Sequence, residues 1–359
     1  MKYGPALGVA VQVTVPGFVR IKPLALERLG IYLIRHNQRR VALLTSEGLP
    51  AELRNKAVTS LQRSGVEISA SESVADASFE AATASFQRIP DSIDAVVGVG
   101  GGRAIDVAKY IAHLSHKPFY SVPTSLSNDG FASPQASLTV TGRRRSLYTN
   151  PPAAIVVDTD VCLTAPRQLW LSGVGDLVAK LTAVRDWKIA HHATGEPVSD
   201  FACLLSDASV HQFLSRPTHD AEGLRLMATA LLINGVSMAI CGSSRPASGS
   251  EHLVSHALDE FAIRPRLHGL QVGLASYICS HLQGDGDRAA VISGLFESIG
   301  FWQAIREDPF TKREWLEAFR RAPSVKPDRY TTLSAGDRSV EVAGLLDSDP
   351  FLAGCFVVD

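Results

Sequence analysis

Cysteine is scarce and its pattern is unpaired. The five cysteines, Cys162, Cys203, Cys241, Cys279 and Cys355, are odd in number, scattered, and never spaced as Cys-x-x-Cys. That argues against a disulfide framework and a cysteine metal site, and it predicts free thiols in a reducing cytoplasm. Net charge is nearly absent. The formal value is −1, so neither nucleic acid nor an anionic membrane is expected as a partner. No unbroken apolar run opens the chain. Pro16 and Gly17 interrupt it before a signal peptide or membrane span could form. Repeats and low-complexity tracts are missing, and no serine or cysteine nucleophile constellation stands out.

What is present is a full core: 45% of the residues are hydrophobic, and the 359 residues suggest about two domains. The first half alternates between short apolar runs and helical patterns. Val41–Thr45, Val66–Ser69, Ala95–Val99, Phe119–Val122 and Ala154–Asp158 read as strands. Between them, residues 50–63, 73–87 and 103–114 read as helices. This is the pattern of parallel β-α-β units. Leu138–Val140 and Ser146–Tyr148 flank TGRRR as a hairpin or excursion. Beyond about residue 164 the spacing turns helical, over 169–190, 198–214, 221–240, 251–261 and 270–282. A boundary near 160–165 is predicted, with a ligand cleft between the halves.

The stretch VVGVGGGRAIDVAK places Gly98, Gly100, Gly101 and Gly102 where a strand ends and a helix begins. Glycine lets backbone N–H groups approach a ligand, and the helix N-terminus favours an anion, so a phosphate or pyrophosphate fits. Arg103 departs from G-x-G-x-x-G, and no Gly-Lys-Ser/Thr follows, so neither the dinucleotide fingerprint nor a P-loop is matched. The alternative is a tight turn that binds nothing. One unit later, SVPTSLSNDG is rich in hydroxyls, through Thr124, Ser125 and Ser127. It reads either as a second ligand loop or as ordinary turn chemistry.

The helical half holds SGSEHLVSHALDE, with His252 and His256 four residues apart on one helix face. RPRLHGLQVG supplies His268, and SGVGDLVAK supplies Asp176. One carboxylate with two or three imidazoles suits a zinc- or iron-type ion. The glycines beside Asp176 and His268 are expected to leave room for substrate. A solvated or core-packed histidine pair is the competing reading.

Together, GGGRAIDVAK, SVPTSLSNDGFASP, SGVGDLVAK, SGSEHLVSHALD and LHGLQVG resemble the sn-glycerol-1-phosphate dehydrogenase family. That family lies within the iron-containing alcohol dehydrogenase, glycerol dehydrogenase and dehydroquinate synthase-like group. The resemblance implies a Rossmann-like α/β domain over 1–162 and an all-helical domain over 163–359, the dehydroquinate synthase-like fold. It implies an NAD(P) site at Gly100, Gly101, Gly102, Arg103, Ala104, Ile105 and Asp106, completed by Thr124, Ser125, Leu126, Ser127 and Ser133. Asp176, His252 and His268 would bind one divalent metal, zinc by preference, with iron or nickel as alternatives. Asp129, Asp176 and His256 would contact substrate, with Asp176 and His256 catalytic. The implied reaction interconverts glycerone phosphate and sn-glycerol 1-phosphate, in a cytoplasmic homo-oligomer acting on a small molecule.

Two features depart from the family. Asn128 stands where it usually has histidine, and TGRRRS is more basic than that segment's pattern. Arg143, Arg144 and Arg145 read either as a solvated hairpin tip or as a reader of the substrate's phosphate. Glu47, after the strand VALLT, would repel a 2′-phosphate, but Arg39 and Arg40 are near in sequence. Rival readings are a dehydrogenase of another polyol, cyclitol or phosphosugar, a dehydroquinate-synthase-like lyase, and a binding protein on an inactive fold.

Overall fold

The computed structural model describes residues 13–264 and 266–357. Most of the N-terminal apolar run, residues 1–12, lies outside the described residues. Six parallel strands form the main sheet: β1 (Phe18–Lys22), β2 (Arg40–Ser46), β3 (Glu67–Val74), β4 (Ala95–Gly100), β5 (Phe119–Pro123) and, further along the chain, β8 (Ala154–Asp158). Their spatial order is β1-β8-β5-β4-β2-β3. Helices α1 (Leu29–Arg35), α2 (Ala51–Arg63), α3 (Phe79–Arg88) and α4 (Gly102–Leu114) connect and cover them. Strand residues alternate between two cores. Val41, Leu43, Val97, Val99 and Val156 pack on the face covered by α1 and α2, while Ala42, Leu44, Val96, Ile155 and Val157 face α4 and the helical half. The sheet is therefore apolar on both faces, as its continuous apolar runs require.

The order of strands has a functional consequence. From β2 the chain moves outward to β3, then returns past β2 to β4 and proceeds to β5. The direction reverses between β2 and β4, and in open α/β sheets a ligand crevice forms at the carboxyl ends of such a pair.

Two expected boundaries shift. Residues 73 and 74 were expected to begin a helix, but they continue β3 by pairing with Thr45 and Ser46. The helix starts only after Ser78, whose hydroxyl caps Ala81 N at 3.1 Å. The hairpin exists, as β6 (Gln135–Val140) and β7 (Arg143–Tyr148), but its turn is only Thr141–Gly142, both with positive φ. The arginines are therefore strand residues, with Thr139 opposite Arg144.

After β8 the chain forms α5 (Thr159–Thr164), α6 (Arg167–Thr194), α7 (Asp200–Leu214), α8 (Ala221–Cys241), α9 (Ser250–Phe261) and α10 (His268–Leu282). Then follow α11 (Gly286–Ile299), α12 (Phe301–Glu307), α13 (Lys312–Val325) and α14 (Ser339–Ser348). The two-residue strands β9 (Phe310–Thr311) and β10 (Phe356–Val357) pair in this otherwise helical half. By length and composition α8 could span a membrane, but more than half of its apolar window is buried among neighbouring helices.

Candidate functional site

The glycine loop lies at the crevice between β2 and β4. Gly100 has φ +143°, and a Cβ there would meet Ser46 Oγ at 2.2 Å. Only glycine fits that close approach. Ser46 in turn accepts a hydrogen bond from Gly101 N at 3.0 Å, which ties the loop to β2. At Gly102 the reason differs, because an added Cβ would meet nothing within 4 Å. Gly101 offers no side-chain cap to α4. The helix N-terminus is thus uncapped and open, a cradle suited to an anionic group.

The other residues expected at a cofactor fall into two classes. Arg103 is exposed, and its guanidinium bonds Ala75 O at 2.8 Å. Thr124 N bonds Gly100 O at 3.0 Å, joining the two loops. Ser125 and Ser127 are half-buried on the same turn. By contrast Ala104, Ile105 and Leu126 have core side chains, so only their backbone is available to a ligand. Asp106 and Ser133 are buried and face the cleft. Asp106 lies 3.6 Å from Lys109 Nζ. Lys109 donates to the carbonyls of Gly130 and Gln135, pinning the turn before the hairpin.

Across the cleft, α6, α9 and α10 bring Asp176, His252 and His268 together, with one potential ligand atom from each lying within 4.8 Å of the others. Asp176 Oδ1 is 3.3 Å from His252 Nε2 and 3.9 Å from His268 Nε2. The imidazoles are oriented from behind. His252 Nδ1 donates to buried Glu251 Oε1 at 2.8 Å. His268 Nδ1 donates to Ser255 Oγ at 3.0 Å, and that hydroxyl donates onward to Gln271 Oε1 at 2.7 Å. Both Nε2 atoms therefore turn lone pairs toward the Asp176 carboxylate, an arrangement that requires a cation or a proton between them. Burial and nearby His252 push His268 down to about 3, leaving it a neutral imidazole. Burial alone would raise Asp176, but Lys180 and His252 hold it well below the usual carboxylate range. Two imidazoles and an ionised carboxylate fit a divalent metal.

His256 stands beside this group, its ring centroid 6.4 Å from His252 and 5.9 Å from His268. Its Nδ1 is buried without a hydrogen-bond partner, and burial, with His268 nearby, depresses its basicity. Asp129 N donates to Asp176 Oδ2 at 3.0 Å. Asn128 Oδ1 accepts from Gly130 N at 2.9 Å, so it closes the turn on itself.

The glycines beside Asp176 and His268 do not make room for substrate. A Cβ on Gly175 would meet Gly269 O at 2.0 Å, one on Gly269 would meet Ser172 O at 1.7 Å, and one on Gly273 would meet Gly175 Cα at 2.7 Å. They let α6 and α10 cross backbone to backbone, and this contact carries Asp176 toward His268.

Sequence reasoning missed several polar partners. Lys180 is fully buried, 2.9 Å from Asp129 Oδ2 and 3.3 Å from Asp176 Oδ2. Its i+4 spacing from Asp176 was a readable signal. Glu251 and Ser255 gave none, because they act across elements or between adjacent residues. Lys326 lines the cleft from the far end of the chain. Of the arginines, only Arg144 lines the inner cleft. Arg39 and Arg40 lie at the amino end of β2, where Arg40 pairs with Asp94 at 3.2 Å. The seven-residue strand puts them roughly 20 Å from the glycine loop, whereas Glu47 is at its carboxyl end.

Comparison with known proteins adds independent findings. Residues 20–166 match the family model described as "Iron-containing alcohol dehydrogenase". The glycerol-1-phosphate dehydrogenase [NAD(P)+] of Thermococcus sibiricus is 38% identical over 267 residues, covering 71% of this chain and 76% of the relative. That of Methanosarcina barkeri is 39% identical over 246 residues, covering 67% and 68%. Among solved structures, a probable glycerol dehydrogenase from Sinorhizobium meliloti has a TM-score of 0.75 at 17% identity, covering 96% of this chain and 99% of that one.

Proposed function

Because this chain belongs to the iron-containing alcohol dehydrogenase family, among its glycerol-1-phosphate dehydrogenases, we propose that it interconverts glycerone phosphate and sn-glycerol 1-phosphate. It is an NAD(P)-dependent, metal-dependent alcohol dehydrogenase. The observation that carries the assignment of the reacting centre is the convergence of Asp176, His252 and His268 in the cleft that also contains Asp129 and His256. We read residues 1–162 as the nucleotide domain and 163–359 as the metal and substrate domain.

Held by Asp176, His252 and His268, a divalent metal, zinc in our reading, would supply Lewis-acid chemistry at a substrate oxygen, and a nicotinamide held at Gly100–Asp106 and the 124–127 turn would supply hydride chemistry. The chain's own residues do the rest. Glu251 and Ser255 fix the imidazole tautomers. Lys180 pairs with both Asp129 and Asp176, holding the two carboxyls in place and Asp176 ionised. Asp129 accepts a substrate hydroxyl, and neutral His256 hands a proton to or from the substrate oxygen. Glu47 at the carboxyl end of β2 favours NAD over NADP. Five unpaired cysteines support a reducing cytoplasm.

The test is NADH oxidation by purified, metal-loaded protein with glycerone phosphate as acceptor, with product stereochemistry assigned enzymatically. Reduction to sn-glycerol 3-phosphate, or turnover of glycerol without turnover of its phosphate, would refute this reading.

A further inference from the structure

The hairpin presents two unlike faces. In antiparallel β6 and β7, Ser137 pairs with Ser146 and Thr139 with Arg144. Residues two apart share a face, and Gln135, Ser137, Arg144 and Ser146 all line the cleft. The opposite face carries Ala136 and Leu138 into the core. β7 also packs against α9, the helix of His252 and His256. The hairpin thus carries Arg144 across from the nucleotide half toward the reacting centre. Its guanidinium is oriented by Ser137, which accepts from Nε at 2.8 Å.

Lys326 comes from the other half, immediately after α13, and lines the same cleft. Among the described residues, neither Arg144 nor Lys326 forms an ion pair. The charges around Lys326 are mostly cationic, from Arg145, Arg245 and Arg329. Lys326 is half-buried, and a half-buried cation ringed by other cations carries a desolvation cost that an anionic ligand would remove, while Arg144 is exposed and reaches into the same cleft from the hairpin.

We propose that Arg144 and Lys326 form a dianion clamp, one residue from each half of the molecule, that reads the phosphate of the substrate. The guanidinium offers a planar fork for two phosphate oxygens and the ammonium a point charge for a third. The phosphate sits past His256, beyond the carbonyl end of the substrate. Arg143 and Arg145 border only the outer vestibule and are not part of the clamp. The proposal rests on the reaction proposed above for its substrate, but its test does not depend on that reaction.

Arg144→Gln, Lys326→Gln and the double variant would be compared with the wild type as metal-loaded protein with NADH. Each single variant is expected to raise KM for glycerone phosphate roughly tenfold to a hundredfold, and that loss should exceed any loss on uncharged dihydroxyacetone by about tenfold or more. Lys326→Arg should recover most of it. Calorimetric titration with inorganic phosphate needs no turnover: the wild type should bind it and the double variant should not. Equal losses on both ketones, or a wild type that binds no phosphate, would overturn the clamp. A wild type that binds phosphate but does not reduce glycerone phosphate would overturn the substrate assignment and leave the clamp standing.

Discussion

At the level of single residues, the site depends on what stands behind each ligand. Glu251 accepts from His252 Nδ1, so Glu251→Gln should weaken metal affinity by about 10- to 100-fold, while His252→Ala should abolish stoichiometric metal. Elemental analysis after dialysis against a weak chelator distinguishes them, and full occupancy in His252→Ala would remove it from the ligand set. The local pattern of Asp176 and the histidines left a core-packed pair open, and it was the family resemblance that pointed to these residues, which the fold brings together. Glu251 was not legible, since adjacent residues on a helix do not normally face each other. Lys326 supplies a pH dependence. Burial, and the charges of Arg329, Arg145 and Arg245, lower it to about 8. Arg144, His256, Asp259 and Glu260 share its vestibule. Lys326 is charged below that value and neutral above it. Accordingly kcat/KM for the phosphorylated ketone should fall as pH rises through about 8, while that for dihydroxyacetone should not show this step. Identical profiles for the two ketones would separate Lys326 from phosphate recognition.

At the level of elements, glycines with the same name do different work. Gly100 is required by its own backbone and by Ser46, so Gly100→Ala should cost stability, about 1–3 kcal/mol. Gly102 has open space around it, so Gly102→Val should leave the melting temperature within a few degrees and yet weaken NADH binding at least tenfold, as fluorescence titration would read. Unchanged NADH affinity would make the loop only a turn. At the α6–α10 crossing, Gly273→Ala should separate the helices, lowering stability by about 1–3 kcal/mol and metal affinity with it. Retained affinity would mean the crossing does not set the ligand spacing. The strand and helix pattern was legible because buried parallel strands are continuous apolar runs. The crossing was not, because small residues beside a metal ligand look like space for substrate until the facing helix is known.

At the level of the whole molecule, the two halves bring different things to one cleft. The sheet's reversal point supplies an anion cradle, and the helical half supplies the imidazoles, the carboxylate and the buried lysine. The motif order along the chain made this division visible. The position of Lys326 was invisible, since a residue 150 positions beyond Asp176 (326 against 176) reaches the cleft only through the path of α11 to α13. The backbone-to-backbone crossing of α6 and α10 has one last consequence, for assembly. Ligand positions held by glycine contacts do not wait for an ion to gather them. Stripping the ion should therefore leave a cooperatively folded protein with a single calorimetric transition. Its melting temperature should climb with free metal concentration as simple mass action requires, the stabilisation reaching about 2.7 kcal/mol at a hundredfold excess over Kd. Loss of the transition on chelation, or its splitting in two, would mean that the ion builds the helical half and does not merely occupy it.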